Sequence, residues 1–210
     1  MSIAKQVILT RIRDALARSP QITYESCPRE YRRASALDVR SRIELFEDRL
    51  RDYGSRVYHC SSDQIADSIA LAMRNAGKTA LVIPDGFPRT WLPDECTFTL
   101  DNGLSYQALD GAEGVLTGCA AAIAETGTIV LRHSGADGRR ALTLLPDYHL
   151  CVVRQSQIVA SVPEGIQAAT EFATSPITTI SGPSATSDIE MTRVKGVHGP
   201  RTLDVIITEP

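Results

Sequence analysis

The chain has 210 residues, enough for one domain whose core closes by burial alone. Hydrophobic residues make up 43% and charged residues 22%, which sets aside disorder and a membrane class; aromatics at 5% favour a sheet covered by helices over an aromatic-rich sandwich. Net charge is −3 with both signs interleaved, and no basic stripe or aromatic platform offers nucleic acid a surface.

Ala4, Ile8, Ile12 and Leu16 recur four apart, which predicts a first amphipathic helix ending at Pro20. A polar connector runs to Pro28. Val39, Ile43, Phe46 and Leu50 then mark one face of a second helix that stops at Gly54. Its charges pair at i,i+4, with Asp38 against Arg42, Arg40 against Glu44 and Glu47 against Arg51, so the Arg-rich stretch reads as a solvated face. Residues 1–53 are thus expected to form a helical extension, able to serve as a partner-binding arm, and residues 54–210 the α/β body.

The body alternates. Arg56–Cys60 is a strand, and a helix capped by Ser61 or Ser62 carries Ile65, Ile69 and Met73 and ends at Gly77. Thr79–Ile83 is a compact apolar run suited to a central parallel strand. Thr97–Leu100, Gly114–Leu116, His149–Val153 and Ile177–Ile180 are further strands, Pro163–Phe172 is a helix, and Leu203–Ile207 closes the sheet. This alternation predicts a largely parallel sheet with helices on both faces.

No apolar run reaches about eighteen residues, and Lys5, Arg11, Arg13 and Asp14 interrupt any leader-like core, so a cytoplasmic chain without a membrane span is expected. Five scattered cysteines, Cys27, Cys60, Cys96, Cys119 and Cys151, form no C-x-x-C and read as reduced core residues. His59, His133 and His149 have no metal-ligand spacing, so no metal site is expected, and neither standard nucleotide loop nor G-x-S-x-G is present.

Three segments could carry chemistry. As part of a regular strand, Glu125 would share a covered face with Ile123, Ile129 and Leu131. It would then need a partner, a bulge at Gly127 or a pocket. Glu125 is either a general base or ligand acceptor, with Thr126 and Thr128 as hydroxyl donors, or a strand-end glutamate paired with Arg139 or Arg140. Gly127 permits close approach by a ligand or another strand. The run Ser181–Glu190 leaves a strand through Gly182 and Pro183 into a helical turn, where Ser184 caps free N–H groups. That turn is either an anion site or simply a capped loop, and Asp188 and Glu190 oppose an anion unless they hold Arg193 or Lys195. In Gly196–Pro200, His198 beside Gly199 is either an acid/base group or an exposed loop histidine.

Jointly, and in this order, Ala124–Thr128, Leu144–Pro146 leading into His149–Val153, Ser181–Glu190 and Gly196–Pro200 resemble the lactate-utilization protein C family, the LutC/YkgG type with a LUD domain. The resemblance runs from about Arg56 to the C-terminus. It implies a three-layer α/β/α fold like that of the sugar-phosphate isomerase and CoA-transferase superfamily, with ligands at the C-terminal ends of strands. It also implies a part in oxidising L-lactate to pyruvate beside iron–sulfur partner proteins, this chain being the subunit without a cluster or redox cofactor of its own. The residues carried over are Glu125, Thr126, Gly127, Ser181, Gly182, Ser184, Asp188, His198 and Gly199. A free-standing enzyme acting on a small anion, with Glu125 as base, is the other reading, and a homo-oligomer is compatible with both.

Overall fold

The computed structural model describes residues 3–18, 23–28, 30–170, 175–186, 194–195 and 199–210. Its contacts divide the chain into two compact units, 1–32 and 33–210. The first holds helix α1 (Ile3–Ala17), in which Ile8, Ile12 and Leu16 are exposed, and a 3-10 turn capped by Thr23. Pro20, the expected helix stop, lies outside the described residues.

The second unit contains helices α2 (Val39–Asp52), α3 (Ile65–Asn75), α4 (Tyr106–Asp110) and α5 (Val162–Thr170). Its strands, in chain order, begin with β1 (Arg56–Ser61), β2 (Ala80–Ile83), β3 (Thr97–Leu100) and β4 (Val115–Thr117). They continue with β5 (Ala121–Ile123), β6 (Thr128–Arg132), β7 (Tyr148–Arg154) and β8 (Ile158–Val159), then β9 (Ile177–Ser181), β10 (Ala185–Thr186), β11 (Val194–Lys195) and β12 (Thr202–Glu209).

The expected parallel α/β sheet is present. Six strands in the order β1-β12-β7-β4-β2-β3 pair in parallel throughout. Residues Tyr148–Val153 and Leu203–Thr208 are all buried, as strands covered on both faces must be. Leu203–Ile207 does not close the sheet at an edge, however; β12 is inserted between β1 and β7 because its apolar residues need cover on both sides.

On one face, Ile65, Ile69 and Met73 of α3 pack on Leu116, Leu150, Val152 and Ile206. The helix starts without a side-chain cap at Gln64, since the Ser61 hydroxyl is engaged with Asp63. The other face carries α2 and a second sheet, ordered β8-β5-β6-β9, in which β6 runs antiparallel to both neighbours. The expected strand Ile177–Ile180 joins this second sheet as part of β9, and Ala121–Arg132 supplies β5 and β6. The strands form a separate layer because Ala122, Ile129 and Leu131 bury against the main sheet while Ala121, Ile123 and Val130 bury toward Ala168 and Ala169 of α5.

Helix α2, grouped above with the extension, belongs to the second unit: Phe46 and Leu50 are fully buried in the core shared by both sheets, with Ile43 alongside. Two such side chains contribute roughly 1.5–3 kcal/mol each. The Asp38 carboxylate caps the helix at Ser41 N, 2.7 Å, so Arg42 meets the Asp38 backbone carbonyl and not its side chain. The Arg40–Glu44 and Glu47–Arg51 pairs form as expected.

Beneath α3, a part-exposed arginine reaches two buried polar side chains of the sheet. Arg56 donates to both Asp204 oxygens at 2.8 and 3.1 Å, and the Tyr148 hydroxyl donates to Asp204 Oδ2 at 3.0 Å. Burial pushes the Tyr148 hydroxyl far above its usual range, which keeps it a donor.

Candidate functional site

The segment around Glu125 is not a continuous strand. Strand β5 ends at Ile123, Ala124–Thr126 form a 3-10 turn, and Gly127 reverses the chain with φ +59°. The turn lifts Glu125 off the covered face to an exposed position, its backbone N–H donating to Ala160 O at 3.1 Å, so the carboxylate needs no buried partner. Arg139, one of its suggested partners, is instead held in two bonds by Asp101 at 2.7 and 2.9 Å.

The hydroxyl residues come together. Thr126 Oγ1 lies 2.6 Å from Thr128 Oγ1, which lies 2.7 Å from Ser181 Oγ, across the β6–β9 register that sets Thr128 opposite Ser181. Either hydroxyl of each pair can be the donor, so the chain leaves one free hydrogen, at Ser181 if it runs from Thr126 and at Thr126 if it runs from Ser181. The two motif glycines have a shared cause. A Cβ on Gly127 would stand 2.6 Å from Arg49 Cβ, and one on Gly182 2.6 Å from Tyr53 Cβ; Gly182 also has φ +83°. It is the end of α2 that approaches these backbones, with Tyr53 donating to Thr126 O at 3.4 Å.

Ser184 does not cap a helix. Its backbone N–H donates to Pro200 O at 2.8 Å, and the next two residues, Ala185 and Thr186, pair antiparallel with Lys195 and Val194. Gly199, φ +146°, places its α-carbon where a Cβ would sit 3.6 Å from that of Ser184. Asp188 and His198 lie outside the described residues.

Ser181, Gly182, Ser184 and Gly199 converge on a cleft of about 220 Å³, whose other lining residues include Arg140, Thr143, His149 and Thr178. Glu125 is not part of that lining. This cleft opens where β7 and β12 begin, as His149 and Leu203 in its wall show; at the C-terminal ends of the same strands, the end suggested by the superfamily, Arg154, Thr208 and Glu209 line a second cavity of about 240 Å³. The second sheet explains this: β9 and the segment after it stand over the strand starts.

Three side chains in this wall carry the electrostatics. Arg140 begins a 3-10 turn and donates to Thr143 O at 2.9 Å and to Thr143 Oγ1 at 3.3 Å. Burial alone pulls its guanidinium below the ordinary arginine range; among the described residues no carboxylate faces it. The Thr178 hydroxyl meets His133 Nε2 at 2.7 Å, while His133 Nδ1 donates to Gly138 O at 3.1 Å. In its neutral form His133 therefore accepts from Thr178 and turns the threonine lone pairs outward.

His149 is 1% exposed. Thr117 Oγ1 lies 2.8 Å from Gly118 O and 2.8 Å from His149 Nε2, and its one hydrogen can serve either acceptor. His149 Nδ1 has no hydrogen-bond partner among the described residues. Arg140 and His149 were missed as site residues. The available signal was a histidine within the otherwise apolar run Tyr148–Val153, where a polar ring must be satisfied or used.

The LUD domain family model matches residues 99–208, which include the cleft lining and all of β12 but its last residue. A lactate utilization protein C of Deinococcus radiodurans is 45% identical over 207 residues, covering 97% of this chain and 95% of that protein. The chain belongs to the lactate utilization protein C family of LUD-domain proteins. An Escherichia coli K12 relative of this family, the uncharacterized protein YkgG, is 43% identical over 93 residues, 41% of this chain and 40% of its own. A crystal structure of a DUF162 family protein from Deinococcus radiodurans shares 43% identity and superimposes with a TM-score of 0.71, covering 82% of this chain and 99% of that one. Within this LUD domain, the described motif positions divide between the hydroxyl chain, the backbone approach of α2 and the cleft wall.

Proposed function

We propose that this chain works in lactate utilization as the cluster-free subunit of a system that oxidises L-lactate to pyruvate, beside iron–sulfur partner proteins, and that its cleft holds a small anion. The observation that carries the reading is 45% identity to a lactate utilization protein C along nearly the whole of both chains. The cysteines support a chain without its own cluster. Cys60, Cys119 and Cys151 are buried, the last two in the core between the sheets, and the hydrogen bond to Cys151, with burial, pushes the Cys119 thiol up and keeps it protonated.

Arg140 supports the anion: its cation is partly buried in a wall of hydroxyls. Glu125 as general base of a free-standing enzyme draws less support, since an exposed carboxylate outside the cleft wall lacks both the desolvation and the reach of a base. The test is an anaerobic pull-down of the tagged chain from lactate-grown cells, followed by an absorption spectrum and a lactate–dye reduction assay. Iron–sulfur absorbance with activity, both lost when the chain is purified alone, is expected. A colourless chain that comes down alone would contradict the proposal, as would lactate oxidation by the isolated chain.

A further inference from the structure

We infer that Cys119 and Cys151 are a peroxide-sensitive dithiol, oxidised to an internal disulfide, set between the cleft and a separate cavity. The inference does not depend on which anion the cleft holds.

Chain topology puts the two sulfurs together. Cys151 lies on β7, opposite Thr117 of β4 in the parallel register, and its Sγ sits 3.4 Å from the carbonyl oxygen of Gly118, the residue joined to Cys119. Both side chains belong to the core between the sheets, and their thiols share a hydrogen bond. Gln157 holds Cys119 in place: its side-chain N–H donates to Cys119 O at 2.5 Å, and its oxygen lies 3.8 Å from Cys119 Sγ. A disulfide needs the sulfurs to close to roughly 2.05 Å, a short approach from that contact.

Access is one-sided. Cys119 lines a cavity of about 380 Å³, with Asp137 and Gln157 also in its wall, whereas Cys151 is fully buried. Cys119 is itself only 5% exposed, so the oxidant must be close to water in size, and neither sulfur can meet a cysteine of another protein. Hydrogen peroxide meets that requirement. The acid–base balance of the pair also suits it. Burial opposes ionisation of Cys151, but the bond from Cys119, with His149 and Thr117 alongside, outweighs it and pulls that thiol down.

The reaction balances on peroxide alone. With Cys151 ionised, the Cys119 proton passes along their hydrogen bond and leaves the thiolate at the cavity. That thiolate attacks peroxide; an S–O bond forms, the O–O bond breaks, and the departing hydroxide takes the Cys151 proton to become water. Cys151 then attacks the sulfenic sulfur of Cys119. The S–S bond forms, the S–O bond breaks, and hydroxide leaves with a solvent proton as a second water. Two thiols are oxidised by two electrons, and one peroxide is reduced to two waters. His149, two residues before Cys151 on the same face of β7, bonds to it and lines the cleft, so the cleft wall senses the new bond.

The test is peroxide titration of the purified, reduced, full-length chain, followed by intact mass, alkylation under unfolding conditions and peptide mapping. A product lighter by two hydrogens is expected, with Cys119 and Cys151 joined in one linked peptide, and dithiothreitol should restore the starting mass. Cys119→Ser is expected to slow loss of the Cys151 thiol at least tenfold, while Cys60→Ser, at a buried cysteine outside the pair, leaves the product unchanged. His149 ring resonances, followed by 15N NMR, are expected to move on oxidation of the parent and not of Cys119→Ser. Cys119 and Cys151 both still alkylated after peroxide, or either one linked to a different cysteine, would overturn the pair. The parent's peptide map decides this even where a variant fails to fold. A bond formed with unmoved His149 resonances would overturn its link to the cleft.

Discussion

Tyr53 lies against two glycines of the family motifs, Gly127 and Gly182, so each marks where backbone must yield to the end of α2. Gly182→Ala would set a methyl 2.6 Å from Tyr53 Cβ in a left-handed backbone. A loss of more than about 1 kcal/mol in urea unfolding is expected, and Tyr53→Ala in the same chain should restore part of it. The sequence marked Gly127 as a point of close approach and Gly182 only as the exit from a strand; the residue that approaches Gly182 is far away along the chain and carries no local signal. Asp137 is a second residue whose cost shows only in the fold. It is buried, accepts from Arg132 N at 2.8 Å, and is pushed up to about 6 by burial. Its native carboxyl keeps a proton that the unfolded chain releases near 3.8, so stability falls as pH rises from there to about 6 and is level above. Asp137→Asn keeps an acceptor for Arg132 and removes the charge. The variant is expected to unfold at higher urea than the parent at pH 7.5, by no more than about 3 kcal/mol, with the gap closing toward pH 4.

Strand and helix pairing explains what periodicity left open. The apolar face of α2 was legible, but not what covers it, because a 3.6-residue period names a buried stripe without naming its partner. The hairpin β5–β6 was hidden for a related reason: its apolar residues serve two layers, so no polar face interrupts the run. Once Gly127 is placed at the reversal, Glu125 moves from a covered strand to a turn, and the carboxylate that seemed to demand a role no longer does. Between β1, β12 and β7, the Arg56–Asp204–Tyr148 triad joins three parallel strands on side chains alone. Arg56→Ala would leave a nearly inaccessible carboxylate with only the tyrosine hydroxyl among these donors. Because Arg56 is itself part exposed, a loss of about 3 kcal/mol is expected, at the low end for a broken buried pair. Loss below about 1 kcal/mol in thermal or urea unfolding would show that water replaces the guanidinium.

For the whole molecule, the alternation of strands and helices was enough to anticipate the parallel sheet, since that pattern has few other solutions. Much of the site was foreshadowed by motif order: Ser181, Gly182, Ser184 and Gly199 do converge. The cation and the imidazole that complete the wall come from the Arg140 turn and the start of β7, and only the stacking of the second sheet on the first brings them there. This assembly puts Arg140 in the cleft wall and leaves Glu125 out of it. Glu125→Gln should keep lactate-dependent dye reduction by the reconstituted system within about twofold, whereas Arg140→Ala should lower it at least tenfold, a loss of about 1.4 kcal/mol or more relative to the parent. The most direct measurement is that same reduction rate in anaerobic extracts of lactate-grown cells that have no other lactate-oxidising enzyme, with the gene for this chain deleted and then restored. The rate is expected to vanish on deletion, to return with the parent chain and with Glu125→Gln, and to stay low with Arg140→Ala. A rate unchanged by deletion would contradict the assignment of this chain to lactate oxidation.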